Sequence, residues 1–174
     1  TSGGSGIIPS SDVFMLAGGE QGHVYPHPDD SSIVYSSSQQ GSFKVHDLGK
    51  RIVHRRPPVS SPDGTALRFN VHTGQAVDPF DGDTVYLGSQ FLHRSRDRGK
   101  TWEVISPDLT TNDPSKQMSE REAVGGLTQD SGGGERHTAI VSIAPRPARR
   151  GVIWVGSDDG KVHITRDNGR TWAD

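Results

Sequence analysis

Four side chains carry most of the chemistry this sequence could perform. His72 and His137 are imidazoles, able near neutral pH to take a proton as general bases or to coordinate a cation. Glu135, set about 5 to 9.5 Å from a second carboxylate, would supply the acid/base pair of a glycosidase. Arg68 adds a fixed positive charge and completes the catalytic candidates. All four fall in residues 68–77 and 135–144, which with residues 23–27 run just ahead of Pro79, Pro145 and Pro28, and the same segments hold His23, Asn70 and Arg136. Asp78, Asp81 and Asp83 form a separate acidic cluster, hard oxygen ligands at a spacing that suits Ca²⁺ and equally suits an ordinary Asp-Gly turn. Asp158-Asp159 invites a similar pairing, but with Gly160 behind it a hairpin turn is the better reading.

Several other chemistries are excluded. The chain has no Cys, so disulfides, thiolate metal sites and cysteine nucleophiles are absent. Gly-x-Ser-x-Gly does not occur, and Gly132-Gly133-Gly134 is not followed by the Lys-Ser/Thr of a phosphate loop. Nineteen basic against 21 acidic residues leave a net charge of −2 and no basic block, which argues against a nucleic-acid partner. No apolar run approaches the ~18 residues of a membrane span. Only 30% of the 174 residues are hydrophobic, so the core must be thin.

The elements that must position these residues come in repeats. Ser95-Arg96-Asp97-Arg98-Gly99-Lys100-Thr101-Trp102 recurs as Thr165-Arg166-Asp167-Asn168-Gly169-Arg170-Thr171-Trp172. Each octet follows a strand-like run, Val85 to Ser89 or Ile153 to Ser157. Pro28, Pro79 and Pro145 mark three units, of which the first replaces the octet with His46-Asp47-Leu48-Gly49-Lys50 and loses the acidic turn. The octet's spacing fits a hairpin: Asp accepts from the N–H groups of its own turn, Gly takes a conformation that a Cβ forbids, and Trp packs beneath. Helical periodicity is confined to residues 119–124, and residues 55–64 and 107–135 read as long loops. The chain is therefore all-β: residues 1–6 form a flexible leader, and residues 7–174 one domain of units near 22–56, 66–112 and 135–174.

The two octets resemble the Asp-box of bacterial neuraminidase repeats, found in β-propellers such as sialidases, sortilin-type receptors and xyloglucan-degrading glycoside hydrolases. Trp102-Glu103-Val104-Ile105-Ser106-Pro107-Asp108, Gly125-Gly126-Leu127-Thr128 and Gly151-Val152-Ile153-Trp154-Val155-Gly156-Ser157 are similar to a large bacterial group labelled glycosyl hydrolase with such repeats. The resemblance implies two to three four-stranded antiparallel propeller blades, the last incomplete, in a piece of a longer chain. It places residues 23–27, 68–77 and 135–144 on inner strands, so that His72, His137, Glu135 and Arg68 converge at a channel mouth. Relatives are often exported, which suggests an extracellular or periplasmic setting. Sialidase chemistry does not carry over, because no Arg-Ile-Pro segment occurs.

Three functions follow as expectations. The first is a glycosidase-like hydrolase acting on a sugar or ester-type substrate at the channel mouth. The second is a Ca²⁺-dependent lactone or ester hydrolase using Asp78, Asp81 and Asp83. The third is a non-catalytic glycan- or protein-binding module. Open blade faces also lead to the expectation of a homo-oligomer, or of residues 12–17 supplying a strand to the last blade.

Overall fold

The computed structural model describes Leu16, residues 22–117 and residues 137–174. These residues form three antiparallel sheets. The first contains β1 (Val24–Pro26), β2 (Ile33–Ser38), β3 (Ser42–Asp47) and β4 (Ile52–Arg55) in that order. The second contains β5 (Gln75–Asp78), β6 (Asp81–Gly88), β7 (Leu92–Ser95) and β8 (Glu103–Val104). The third contains β9 (Ile140–Pro145), β10 (Ile153–Ser157) and β11 (Val162–Thr165), and a bridge from Ile164 to Ala173 begins its fourth strand. Three meandering blades of this kind, stacked face to face, are the architecture of a β-propeller, the last blade being incomplete.

Strand alternation explains the stacking. In β6, Val85 and Leu87 turn toward the first blade and meet Ile33, Tyr35, Phe43 and Val45. Tyr86, between them, turns toward the third blade and joins Leu92, Ile140, Ile153 and Val155. The middle sheet is thus buried on both faces, which is why its run reads apolar without interruption. Each such side chain, once fully buried, contributes on the order of 1.5–3 kcal/mol.

The octets fold as anticipated and do more than turn the chain. In the first, Thr101 N–H and hydroxyl donate to Asp97 at 2.9 and 2.7 Å, and Gly99 N–H donates to Ser95 Oγ at 2.7 Å. In the second, Thr171 donates to Asp167 at 2.9 and 2.6 Å, and Gly169 to Thr165 Oγ1 at 2.9 Å. Gly99 and Gly169 have φ of +79° and +93°, and a Cβ at either would lie 2.6 Å from the preceding blade, at Phe43 or at the Ile105 carbonyl. The indoles close the contact: Trp102 Nε1 donates to the Arg56 carbonyl at 2.7 Å, and Trp172 Nε1 to the Ile105 carbonyl at 3.0 Å. Both acceptors directly follow the outermost strand of the blade before.

Three expectations need correction. The first unit keeps an acidic turn, because Asp47 accepts from Lys50 N and Nζ, both at 2.8 Å, in a shorter turn. Residues 68–74 are loop, and the inner strand begins only at Gln75, since Asn70 takes up local backbone hydrogen bonds that compete with the ladder. A short 3₁₀ helix at Pro114–Lys116, capped by Asp113 accepting from Ser115 N, had no apolar period to announce it. Residues 119–124 lie outside the described residues.

Tyr35, Tyr86 and Trp154 hold equivalent places in the second strand of each blade. The first two are 0% and 1% exposed beneath the next blade, whereas Trp154 is 46% exposed. Among the described residues nothing covers the face of Trp154, where the expected second copy would have to pack. Leu16, the described residue of the segment expected to complete the last blade, lies instead against the first, its carbonyl accepting from Ser36 Oγ at 3.2 Å. Urea unfolding should therefore show Tyr86→Ala costing about 3–5 kcal/mol and Trp154→Ala about 1 kcal/mol or less.

The fold also sets an acid response. Burial holds His93 at about 4, so it folds neutral. At Asp97 burial opposes ionisation, but the bonds from Thr101 and Ser95 outweigh it and hold the carboxyl at about 2. Asp167 reaches about 2 through the Thr171 hydroxyl and backbone. All three values lie below those of the unfolded chain, roughly 6.5 for His and 3.9 for Asp. Their stabilisation is complete above the unfolded values and is lost as pH falls, through His93 from about 6.5 to 4 and through the aspartates from about 4 to 2. Unfolding measured against pH should show both limbs, with Asp97→Asn and Asp167→Asn together flattening the lower one.

Candidate functional site

At the end of the sheets where β5 begins, a cavity of about 420 Å³ opens between the inner strands. His23, Ser37, Ser38, His72, Thr73 and Val141 line it, drawing on all three blades. His72 is held on the turn that Asn70 organises, its N–H donating to Asn70 Oδ1 at 3.0 Å. Thr73 Oγ1 donates to the Asn70 carbonyl at 2.9 Å and accepts from Gly41 N at 3.1 Å, fastening that turn to the first blade. His23 stacks on Tyr25 with centroids 5.9 Å apart. Burial, and secondly the neighbouring His72, hold His23 below the usual histidine value.

Of the other catalytic candidates, His137 and Arg68 lie on the same end of the fold but do not line this cavity. His137 Nδ1 stands 4.0 Å from Asp158 Oδ1. Asp158 accepts from Asn70 Nδ2 at 2.7 Å and from Ala139 N at 3.0 Å, so it ties the 70–73 turn of the second blade to the third. Arg68 is a clamp: Nη2 donates to Asp108 Oδ2 at 2.8 Å and Thr110 Oγ1 at 3.2 Å, and Nε to the Thr138 carbonyl at 3.2 Å. Glu135 and Arg136 lie outside the described residues.

Sequence reasoning passed over Ser37, Ser38 and Thr73, as well as the reach of Asp158 beyond its own hairpin. The only signal for Asp158 was its place in the Asp-Asp-Gly turn of the third blade, which matches Gln40-Gly41 of the first. The β10–β11 turn forms as expected, with Gly160 at φ +88°, and Asp159 accepts from Ser157 Oγ and Thr111.

The residues proposed for Ca²⁺ sit at the opposite end of β5 and β6, and they do not fit the ion. Asp78 accepts from Phe80 N at 2.8 Å and Tyr86 OH at 2.7 Å. Asp81 accepts from Asp83 N at 3.1 Å and Thr84 Oγ1 at 2.7 Å. Asp83 Oδ1 meets His27 Nε2 at 2.9 Å and Arg98 Nε at 2.6 Å. Each carboxylate serves its own turn or an inter-blade contact, and among the described residues no three His, Cys, Asp or Glu side chains converge as a metal would require. Calcium is assigned no step.

No protein-family model matches the sequence, and no curated protein does. Among solved structures, the chain is similar to the GH74 xyloglucanase of Xanthomonas campestris, with 24% identity and a TM-score of 0.56 over 86% of this chain and 22% of that one. The GH74 enzyme of Niastella koreensis follows at 15% identity and TM-score 0.47, covering 86% and 22%. A YCF48 protein bound to D1 peptide stands at 15% and 0.47, covering 90% and 44%. The chain thus spans about a fifth of the xyloglucanase. The first likeness supports the propeller fold.

Removing the Asp158 carboxylate would leave the Asn70 amide and Ala139 N–H without their acceptor. Asp158→Ala should cost about 1–3 kcal/mol in chemical unfolding, and Asp158→Asn should recover part of it by keeping one acceptor oxygen.

Proposed function

We propose that this chain forms part of the channel mouth of a glycosidase-like propeller and holds a glycan there. The observation that carries the reading is the 420 Å³ cavity in which imidazoles and hydroxyls of the first two blades, His23, Ser37, Ser38, His72 and Thr73, stand beside Val71 and Val141. Such groups donate and accept hydrogen bonds without bringing a net charge, which suits the alternating hydroxyls of a sugar. The likeness to a xyloglucanase suggests a β-glucan, and xyloglucan in particular, as the glycan to try.

Hydrolysis is a further step of the proposal. It needs two carboxyls flanking the scissile bond. Glu135 is the sequence's candidate for one, and among the described carboxylates at this end Asp158, hydrogen-bonded to Asn70 of the 70–73 turn, is a candidate for the other. The lactone or ester alternative loses its support because Asp78, Asp81 and Asp83 are engaged by their own turns, Tyr86, His27 and Arg98, whereas the binding-module reading needs only the cavity.

Calorimetric titration with a xyloglucan oligosaccharide, paired with a reducing-end assay, tests both steps. Binding is expected, and His72→Ala should weaken it about tenfold, equivalent to ~1.4 kcal/mol. Reducing ends released without regard to chelator, and lost in Glu135→Gln, would support a hydrolase; binding without release leaves a glycan-binding module. A wild-type chain that takes up no oligosaccharide overturns the proposal.

A further inference from the structure

Ser37 Oγ and both amide atoms of Gln75 are buried without a hydrogen-bond partner, in side chains each 2% exposed. Their strands aim them at one another's blade. Ser37 shares a face of β2 with Tyr35, whose ring packs on the second blade. Gln75 shares a face of β5 with Val77, which packs on the first. Both belong to the end of the fold where the cavity opens: Ser37 lines that cavity beside Ser38, His72 and Thr73, and Gln75, at the start of β5 two residues past Thr73, lies behind the lining. A primary amide and a hydroxyl in an otherwise apolar interface are costly unless something answers them.

We infer that Ser37 and Gln75 form the buried inner end of the cavity and receive an uncharged hydroxyl group of the ligand. This deepens the glycan reading and rests on it. The amide presents a donor and an acceptor side by side, and the serine hydroxyl can act as either, so together they complement an O–H that donates and accepts in turn. Neither residue brings a formal charge. A carboxylate or ammonium group placed there would be desolvated without a counter-ion, so the inner end selects neutral polyols over charged sugars. His23, Ser38, His72 and Thr73 then hold the more solvated part of the same ligand.

The test compares wild type with Ser37→Ala and Gln75→Met, using a xyloglucan oligosaccharide and free glucose as separate probes and the melting temperature of the unliganded protein as control. Removal of an unanswered polar group should leave the melting temperature unchanged or raised, while affinity for both probes falls fivefold or more. Unchanged affinity overturns the inference. So does a loss of affinity accompanied by a lowered melting temperature, which a purely structural role would produce. If wild type binds glucose but not the oligosaccharide, the glycan reading fails while the inner end stands, provided both variants lose glucose. Oligosaccharide binding undiminished in both variants fails the inner end alone, and binding of neither probe fails both.

Discussion

A twisted sheet with apolar residues on both faces can be stable only between two others, and the middle blade meets that condition by sending Val85 and Leu87 one way and Tyr86 the other. The indole hydrogen bonds make the stacking specific. Trp102 and Trp172 each carry a donor that water would otherwise satisfy, and each finds a carbonyl just past the last strand of the preceding blade. An apolar face alone would permit sliding; a directional bond at the outer edge fixes where one blade sits on the next. The octet therefore sets the spacing between sheets as well as the turn within one.

The two ends of the blades have divided the work. At the octet end, charges are spent on cohesion: Asp83 joins His27 of the first blade to Arg98 of its own, Arg98 reaches Asp30 at 3.7 Å, and Arg94 links Glu103 to Asn168 of the third. These contacts engage Asp83, one of the three carboxylates considered for a cation. At the other end the loop before β5 brings His72 and Thr73 to the cavity as well as tying neighbouring blades together. Asn70 with Asp158, Thr73 with Gly41 and Thr111 with Asp159 bond across blades there and hold the cavity's wall in place.

The repeat made the fold legible. Spacing alone identified Asp97 and Asp167 as turn acceptors, Gly99 and Gly169 as left-handed positions and the tryptophans as packing residues, because each role depends on neighbours within eight positions. The cavity was only half legible. His72 was found because imidazole is rare enough to notice, yet it was assigned to a strand that starts three residues later. Ser37 and Ser38 escaped because serine in a β-run reads as solvent-facing, and only the stacking of two blades turns Ser37 inward. Asp78, Asp81 and Asp83 misled for the converse reason: proximity in sequence says nothing about whether carboxylates share a centre, and each of these is taken up by its own turn, by Tyr86 or by His27 and Arg98.

The electrostatics of the cavity bear on what it can hold. Burial and the adjacent His72 both disfavour a proton on His23, so at neutral pH that imidazole is neutral. Ser37, Ser38 and Thr73 bring hydroxyls, and the formal charges of Asp158 and Arg68 are engaged by Asn70, Ala139, Asp108 and Thr110. A charged ligand would give up its hydration for a wall offering little compensation, whereas a polyol exchanges each water for a comparable partner. The same balance explains how an unpaired amide can persist in a blade interface: Gln75 lowers the stability of the empty fold, but it is recovered wherever a hydroxyl reaches it, so the position is better suited to binding than to holding the sheets together.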